Sequence, residues 1–210
     1  MKRQDCDSAD KDCDTVKAGE IEIPGNLRGV RRAAAENMTH IAKILYAIDI
    51  LPTDDIRSRV PKAGQSTAAS RLLARIEEKY PHLTARSKSH SRAVVAAAAG
   101  TAPALLLGID VEWMAPNRPF DQIARMFLAS SSAQVDAETF YRGWTFFEAY
   151  YKAFQRFPEE TLVHAVIAHR SNEALRLGDG IGVTQLCVAG DFRACIVWQH
   201  EALETEISRL

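Results

Sequence analysis

Three short stretches carry residues whose types and spacing suit chemistry. In "LLLGIDVEW", Leu105 to Trp113, Asp110 and Glu112 stand two apart behind an apolar run. Residues i and i+2 of a strand point to the same face, so the two carboxylates project together while Ile109 and Val111 turn towards the core. Adjacent carboxylates repel unless a positive group lies between them. A hard divalent cation such as Mg2+ is a common solution, because it takes oxygen ligands and often binds through one or two carboxylates plus substrate phosphates. Two solvated acids at an exposed strand end are the plainer reading of the same pattern. In "WTFFEAYYKAF", Glu148 and Lys152 are four apart and therefore neighbours on one helix face, with Trp144 one turn before them. On a surface such a pair contributes only about 0.3–0.5 kcal/mol. The aromatic bulk of Phe146, Phe147, Tyr150 and Tyr151 places it in a cleft instead, where a carboxylate can complete a metal site or act as a base and a lysine can neutralise a phosphate. In "SKSHSR", Ser87 to Arg92, three hydroxyls and the His90 imidazole are flanked by cations, a set suited to phosphate oxygens if it lies on a loop before a strand. A serine nucleophile is excluded for want of a Gly-x-Ser-x-Gly elbow.

The elements that must position these groups follow from periodicity and breakers. Residues 1–20 are polar and acid-rich without a repeating apolar face, which predicts a mobile arm with no function of its own. "NLRGVRRAAAENMTHIAKILYAIDIL" passes from a basic, alanine-rich helical pattern into a strand over about Ile41 to Leu51, ended by Pro52. Gln65 to Tyr80 reads as an amphipathic helix with Leu72, Leu73 and Ile76 on its apolar side, and "SRAVVAAAAG" as a short strand of small side chains. After the strand Leu105 to Glu112, "RPFDQIARMFLA" is helical with Phe120, Ile123, Phe127 and Leu128 apolar. A second helix, capped by Asp136 with Thr139 nearby, carries aromatics on more than one side and is therefore largely buried. "VTQLCVAGDFRACIVWQ" predicts a hairpin around Gly190 and Asp191.

Composition narrows the function classes. The 210 residues, 47% hydrophobic, suffice for one large domain or two small lobes. No apolar run approaches the roughly 20 residues that span a bilayer, and "MKRQDCDSADKDCD" lacks the apolar stretch of a secretory signal, so a cytoplasmic protein is expected. Cys6, Cys13, Cys187 and Cys195 have neither a disulfide framework nor CxxC spacing and read as free thiols. Charge is unevenly distributed: Arg57 to Arg92 holds nine Lys or Arg against two acids, whereas the chain from Leu105 holds fourteen acids against nine. One half suits phosphates and the other a metal, although solvated helix faces produce such counts too.

Taken in order, Ser89-His90-Ser91, then Gly108-Ile109-Asp110-Val111-Glu112, then Trp144-Thr145-Phe146-Phe147-Glu148-Ala149-Tyr150-Tyr151-Lys152, the three stretches resemble the motif set of the 4′-phosphopantetheinyl transferases of the larger, surfactin-synthetase-activating class. The likeness runs from roughly Gln65 to the C-terminus. It implies an α+β protein of two similar lobes related by a pseudo-twofold axis, here residues 21–104 and 105–210, with coenzyme A in the cleft between them. It also implies a Mg2+-dependent holo-[carrier-protein] synthase, with Mn2+ as the alternative metal. Such an enzyme moves 4′-phosphopantetheine from coenzyme A to a serine of an apo acyl or peptidyl carrier protein and releases 3′,5′-ADP. A monomer acting on neither nucleic acid nor membrane is implied. Carried over by position, Asp110, Glu112 and Glu148 are the metal ligands, Glu148 is the general base, Lys152 faces the phosphate, and Ser89 and His90 contact coenzyme A. Arg57, Arg59 and Lys62 of the basic half are added as candidates for the 3′-phosphate. The chain departs from the pattern at Phe147, where the family has lysine, at "LASSSAQ", which lacks a further acid, and at "EEKYPHLTARSK", which replaces a Gly-Lys-Pro segment. Two other readings stay open: a non-catalytic coenzyme A or carrier-binding module of the same fold, and a magnesium-dependent phosphohydrolase using water as nucleophile.

Overall fold

Among the described residues two sheets lie face to face, each backed by helix on its outer side. The computed structural model describes residues 42–129, 135–171, 173–200 and 205–210. The arm at 1–20, Cys6, Cys13 and the alanine-rich pattern before Ile41 fall outside the described residues. The first sheet has the order β2-β3-β1-β8, made of β1 (Ala42–Ile50), β2 (Ala85–Ser91), β3 (Val94–Gly100) and β8 (Thr205–Arg209). The second has the order β4-β7-β6-β5, from β4 (Leu106–Trp113), β5 (Leu175–Arg176), β6 (Ile181–Val188) and β7 (Phe192–Gln199). Neighbours within each sheet are antiparallel except β1 and β8, which run parallel, so residues near the end of the chain complete the sheet begun at Ala42.

Three apolar layers hold this α+β arrangement together. Helix α1 (Lys62–Lys79) sets Ala69, Leu72 and Ile76 against Leu45, Val95, Ala97 and Ala99 on the outer face of the first sheet. Between the sheets, Ile44, Val94, Ala96 and Ala98 meet Leu107, Ile109, Val111, Ile196 and Trp198. On the far side, α3 (Ala137–Phe154) and α4 (Glu160–Ala168) cover Ile181, Val183, Cys195 and Val197. Strand β3, "VVAAAAG", is buried at every position because it is covered on both faces, and its alanines let α1 and the second sheet approach closely.

The expected strands β1, β3 and β4, helices α1 and α3 and the β6–β7 hairpin are present, the hairpin turning through positive φ at Ala189 and Gly190. Asp136 caps α3, its Oδ1 accepting from the Thr139 N–H at 2.6 Å. Two expectations need correction. "SKSHS" is not a loop but most of β2, hydrogen-bonded to β3 along its length, because alternate serines face one side and Arg86, Lys88 and His90 the other. "RPFDQIARMFLA" is helical only over α2 (Phe120–Ala124). Its last apolar residues, Phe127 and Leu128, leave the helix and plug the aromatic layer over α3, where Phe127 lies 5.8 Å from the Phe140 ring.

Candidate active site at the β4–α3 contact

The glycine before the paired acids determines where they sit. Gly108, Asp110 and Glu112 share the α3-facing side of β4, and a Cβ built on Gly108 would lie 1.9 Å from the Ala149 carbonyl oxygen. Only a glycine lets the backbone of α3 rest directly on β4. That contact delivers Glu148 and Lys152, which flank Ala149 on α3, to the acids of β4.

Asp110 is buried, 5% exposed. Its Oδ1 accepts from Lys152 Nζ at 2.8 Å and from Ser89 Oγ at 2.8 Å, and Lys152 Nζ also donates to the Ile109 carbonyl at 3.0 Å. Asp110 Oδ2 is buried with no hydrogen-bond partner among the described residues. Glu112 is half-buried, and its Oε2 accepts from Ser91 Oγ at 3.1 Å and from Arg118 Nη2 at 3.3 Å. The Arg118 guanidinium lies 5.5 Å from the Tyr141 ring centroid, which holds it in place. Burial and then the charge of Asp110 raise the Glu112 carboxyl above the usual carboxylate range, against Arg118, Ser91 and the Trp144 indole, which lies near Glu112 without reaching hydrogen-bond geometry. Glu148 is raised for the same two reasons, burial and then Asp110, with Lys152 opposing. Asp110 thus acts on both glutamates, Glu112 of β4 and Glu148 of α3.

β2 meets this site through its odd-numbered residues. The N–H groups of Ile109, Val111 and Trp113 donate to Ser87 Oγ, Ser89 Oγ and Ser91 Oγ at 2.9, 3.2 and 3.1 Å. The even-numbered residues of β2 turn to α1: Lys88 Nζ donates to Ser70 Oγ at 2.6 Å, and Arg86 pairs with Glu77. His90 follows the same alternation. Burial lowers its pKa most, followed by the charges of Lys152, Lys62 and Lys88, so the imidazole stands in a basic surrounding that favours an anion.

Of the residues singled out in the sequence, Asp110, Glu112, Glu148, Lys152 and Ser89 come together, and His90 feels the charges of both Lys152 and Lys62. The Ser89 hydroxyl is engaged on both sides, by the Val111 N–H and by Asp110, and the residue is 7% exposed. Arg57 is turned away to Asp191, its Nε donating to Oδ2 at 2.6 Å, and Arg59 is exposed on the connection between β1 and α1. Phe147 does not face the acids. It is 4% exposed and stacks on Phe157, with ring centroids 4.7 Å apart, and on Trp144 at 6.1 Å. Arg118 was missed, because nothing in a lone arginine after "APN" signals a carboxylate partner. Ser87 and Ser91 were legible as hydroxyls, but their alternation signalled a strand more strongly than a loop.

Among the described residues, no group of three or more His, Cys, Asp or Glu side chains is gathered closely enough to hold a metal ion. The chemistry of the donors nevertheless suits a hard cation: they are all carboxylates, the charge of Asp110 raises both glutamates, and Asp110 carries a buried oxygen without a partner. Cys195 faces this group as well, paired across the sheet with Asp110 and fully buried. Its thiol is pushed well above the usual range by burial and by Asp110. Neither the family models nor the curated proteins include a match to this chain.

Proposed function

We propose that this protein transfers the 4′-phosphopantetheine group from coenzyme A to a serine hydroxyl of an apo acyl or peptidyl carrier protein, releasing 3′,5′-ADP. The observation that carries this reading is that three sequence stretches far apart in the chain converge on one carboxylate: Asp110 of β4 holds Ser89 of β2 and Lys152 of α3. Asp110, Glu112 and Glu148 would hold Mg2+, or Mn2+ in its place. When bound, the cation neutralises the diphosphate of coenzyme A and polarises the phosphoryl group. Glu148, whose carboxyl is raised above the usual carboxylate range by burial and then by Asp110, takes the proton of the carrier serine. The serine oxygen then bonds to the phosphorus bearing pantetheine, and the bond from that phosphorus to the bridging diphosphate oxygen breaks. Lys152 neutralises the departing 3′,5′-ADP. Lys62 and Lys88 supply the positive surroundings for coenzyme A phosphates, and His90, kept neutral among them, offers a hydrogen bond. Two four-stranded sheets, each with its own helix layer, support an arrangement of two lobes about a pseudo-twofold axis. A cytoplasmic monomer is proposed with it, and no helix among the described residues is long and apolar enough to cross a membrane.

The Lys152–Asp110 ion pair favours a second reading, a coenzyme A or carrier-binding module in which the lysine permanently replaces the metal. Mass spectrometry of a panel of apo carrier proteins incubated with the protein, coenzyme A and Mg2+ separates the two. A carrier gaining one phosphopantetheine supports the transferase. Coenzyme A binding with every carrier unmodified supports the module, and free phosphopantetheine released without a carrier supports hydrolysis.

A further inference from the structure

β4 is an edge strand of its sheet, and β2 is an edge strand of the other. Where a neighbouring strand would offer carbonyls, β2 offers three hydroxyls, at Ser87, Ser89 and Ser91, to three alternate N–H groups of β4. The pattern has a second half. Ser89, which accepts from Val111, returns its own proton to the preceding residue, Asp110. Ser91, which accepts from Trp113, does the same to Glu112. Ser87 accepts from Ile109, but the preceding residue is Gly108, which has no side-chain acceptor. Nature has therefore placed a control beside two test positions. All three serines join the sheets, and only two of them touch an acid.

We propose that Ser89 and Ser91 are positioning residues for the carboxylate pair, aiming Asp110 and Glu112 at a common cation, while Ser87 serves the seam alone. A hydroxyl fixed by a backbone N–H has one remaining direction in which to donate, so each carboxylate is held where its own strand's backbone dictates. Carboxylates two apart on a strand repel, and a donor on each from the opposite sheet restrains them from turning apart. The role rests on reading Asp110 and Glu112 as cation-holding groups and does not depend on which reaction follows.

The test uses the full chain and terbium(III) ion alone, a hard oxygen-seeking cation whose luminescence is sensitised by a nearby indole, here Trp144 beside Glu112. Ser87→Ala, Ser89→Ala and Ser91→Ala are compared for Tm and terbium affinity. All three lower Tm, because each leaves a buried or half-buried N–H without its partner. Terbium affinity falls about fivefold or more in Ser89→Ala and Ser91→Ala, but stays within about twofold in Ser87→Ala. Ser89→Thr and Ser91→Thr, which keep the hydroxyl, recover the affinity. Should an alanine variant fail to fold, the cysteine variant, with similar shape and a weak donor, is read in its place. Equal weakening by all three serines, weakening that follows Tm alone, or a wild-type chain that binds no terbium overturns the proposal. Phosphopantetheine transfer is scored separately. A chain that shows the serine pattern with terbium and modifies no carrier keeps the positioning role and loses the transferase reading.

Discussion

Lys152 stands where a cation is expected, its ammonium 2.8 Å from Asp110 Oδ1 and close in sequence and charge to Glu148. It neutralises acids that would otherwise repel one another, and it competes with any metal for the same oxygens. Lys152→Met keeps the aliphatic stem and removes the charge. Mn2+ binding measured by calorimetry should tighten, while phosphopantetheine transfer falls about tenfold or more because the departing phosphate loses its neutralising group. Unchanged Mn2+ affinity would remove the lysine from the competition. The acids also determine how stability responds to pH. The folded-state pKa values of Glu112 and Glu148 lie above the ordinary 4.5, so the folded chain binds those protons more tightly than the unfolded one. Their contribution is fully present below that value and is lost as pH rises through the raised folded-state values. His90 has the opposite sign: lowered from 6.5, it contributes stability above that value that is lost as pH falls through its folded-state pKa. A cation relieves the repulsion only where the acids are ionised. Saturating Mg2+ should therefore raise Tm clearly at neutral pH and hardly at all near pH 4.5, as read by thermal scans across pH with and without the metal.

At the scale of elements, Gly108 and Gly64 form a matched pair. A methyl at Gly108 meets the Ala149 carbonyl at 1.9 Å and forces α3 off β4, whereas one at Gly64 in α1 has nothing nearer than 3.8 Å. Gly108→Ala should cost about 1–3 kcal/mol and carry Glu148 and Lys152 away from Asp110. Gly64→Ala should be neutral or stabilise by up to about 1 kcal/mol. Denaturant melts of both variants, with transfer assays alongside, check the contrast. Phe147 gives the other case. The resemblance sets a lysine at this position. In the fold the side chain is buried among Phe127, Trp144 and Phe157. Phe147→Lys should lower stability by about 3–5 kcal/mol, by lost packing and an unpaired buried charge, and this should show as a lower denaturation midpoint with no gain of activity. What was legible follows from the same elements. Alternation marked β4 and the cap marked α3, because each signal is local. α4 escaped notice because "ETLVHAVIA" is nine residues long and closely follows Pro158, too short for its period to stand out. β8, "TEISR", reads as polar and irregular, and it is a strand only because β1 offers it a parallel edge.

Across the whole molecule, the chain's basic and acidic halves meet along the β2–β4 seam. Charge counting suggested such a division but did not locate it, since the location depends on which edges of the two sheets meet. Arg57, counted with the basic half, is neutralised by Asp191, and Lys62 instead shares the field of His90. The second sheet also carries a thiol paired across the sheet with Asp110, Cys195, with no exposed surface, while Cys187 on the neighbouring strand is exposed. A thiol reagent attacks only the thiolate and only where it has access, so Cys195 reacts no faster than the sheet opens. The pair is thus a built-in clock for motion beneath the acids. Peptide-resolved alkylation should label Cys187 promptly and Cys195 only on the timescale of opening, and saturating Mg2+ should slow Cys195 while leaving Cys187 unchanged. If both thiols were modified at one rate, the β7 strand would be breathing freely, and a site that depends on its rigidity would have to be sought elsewhere.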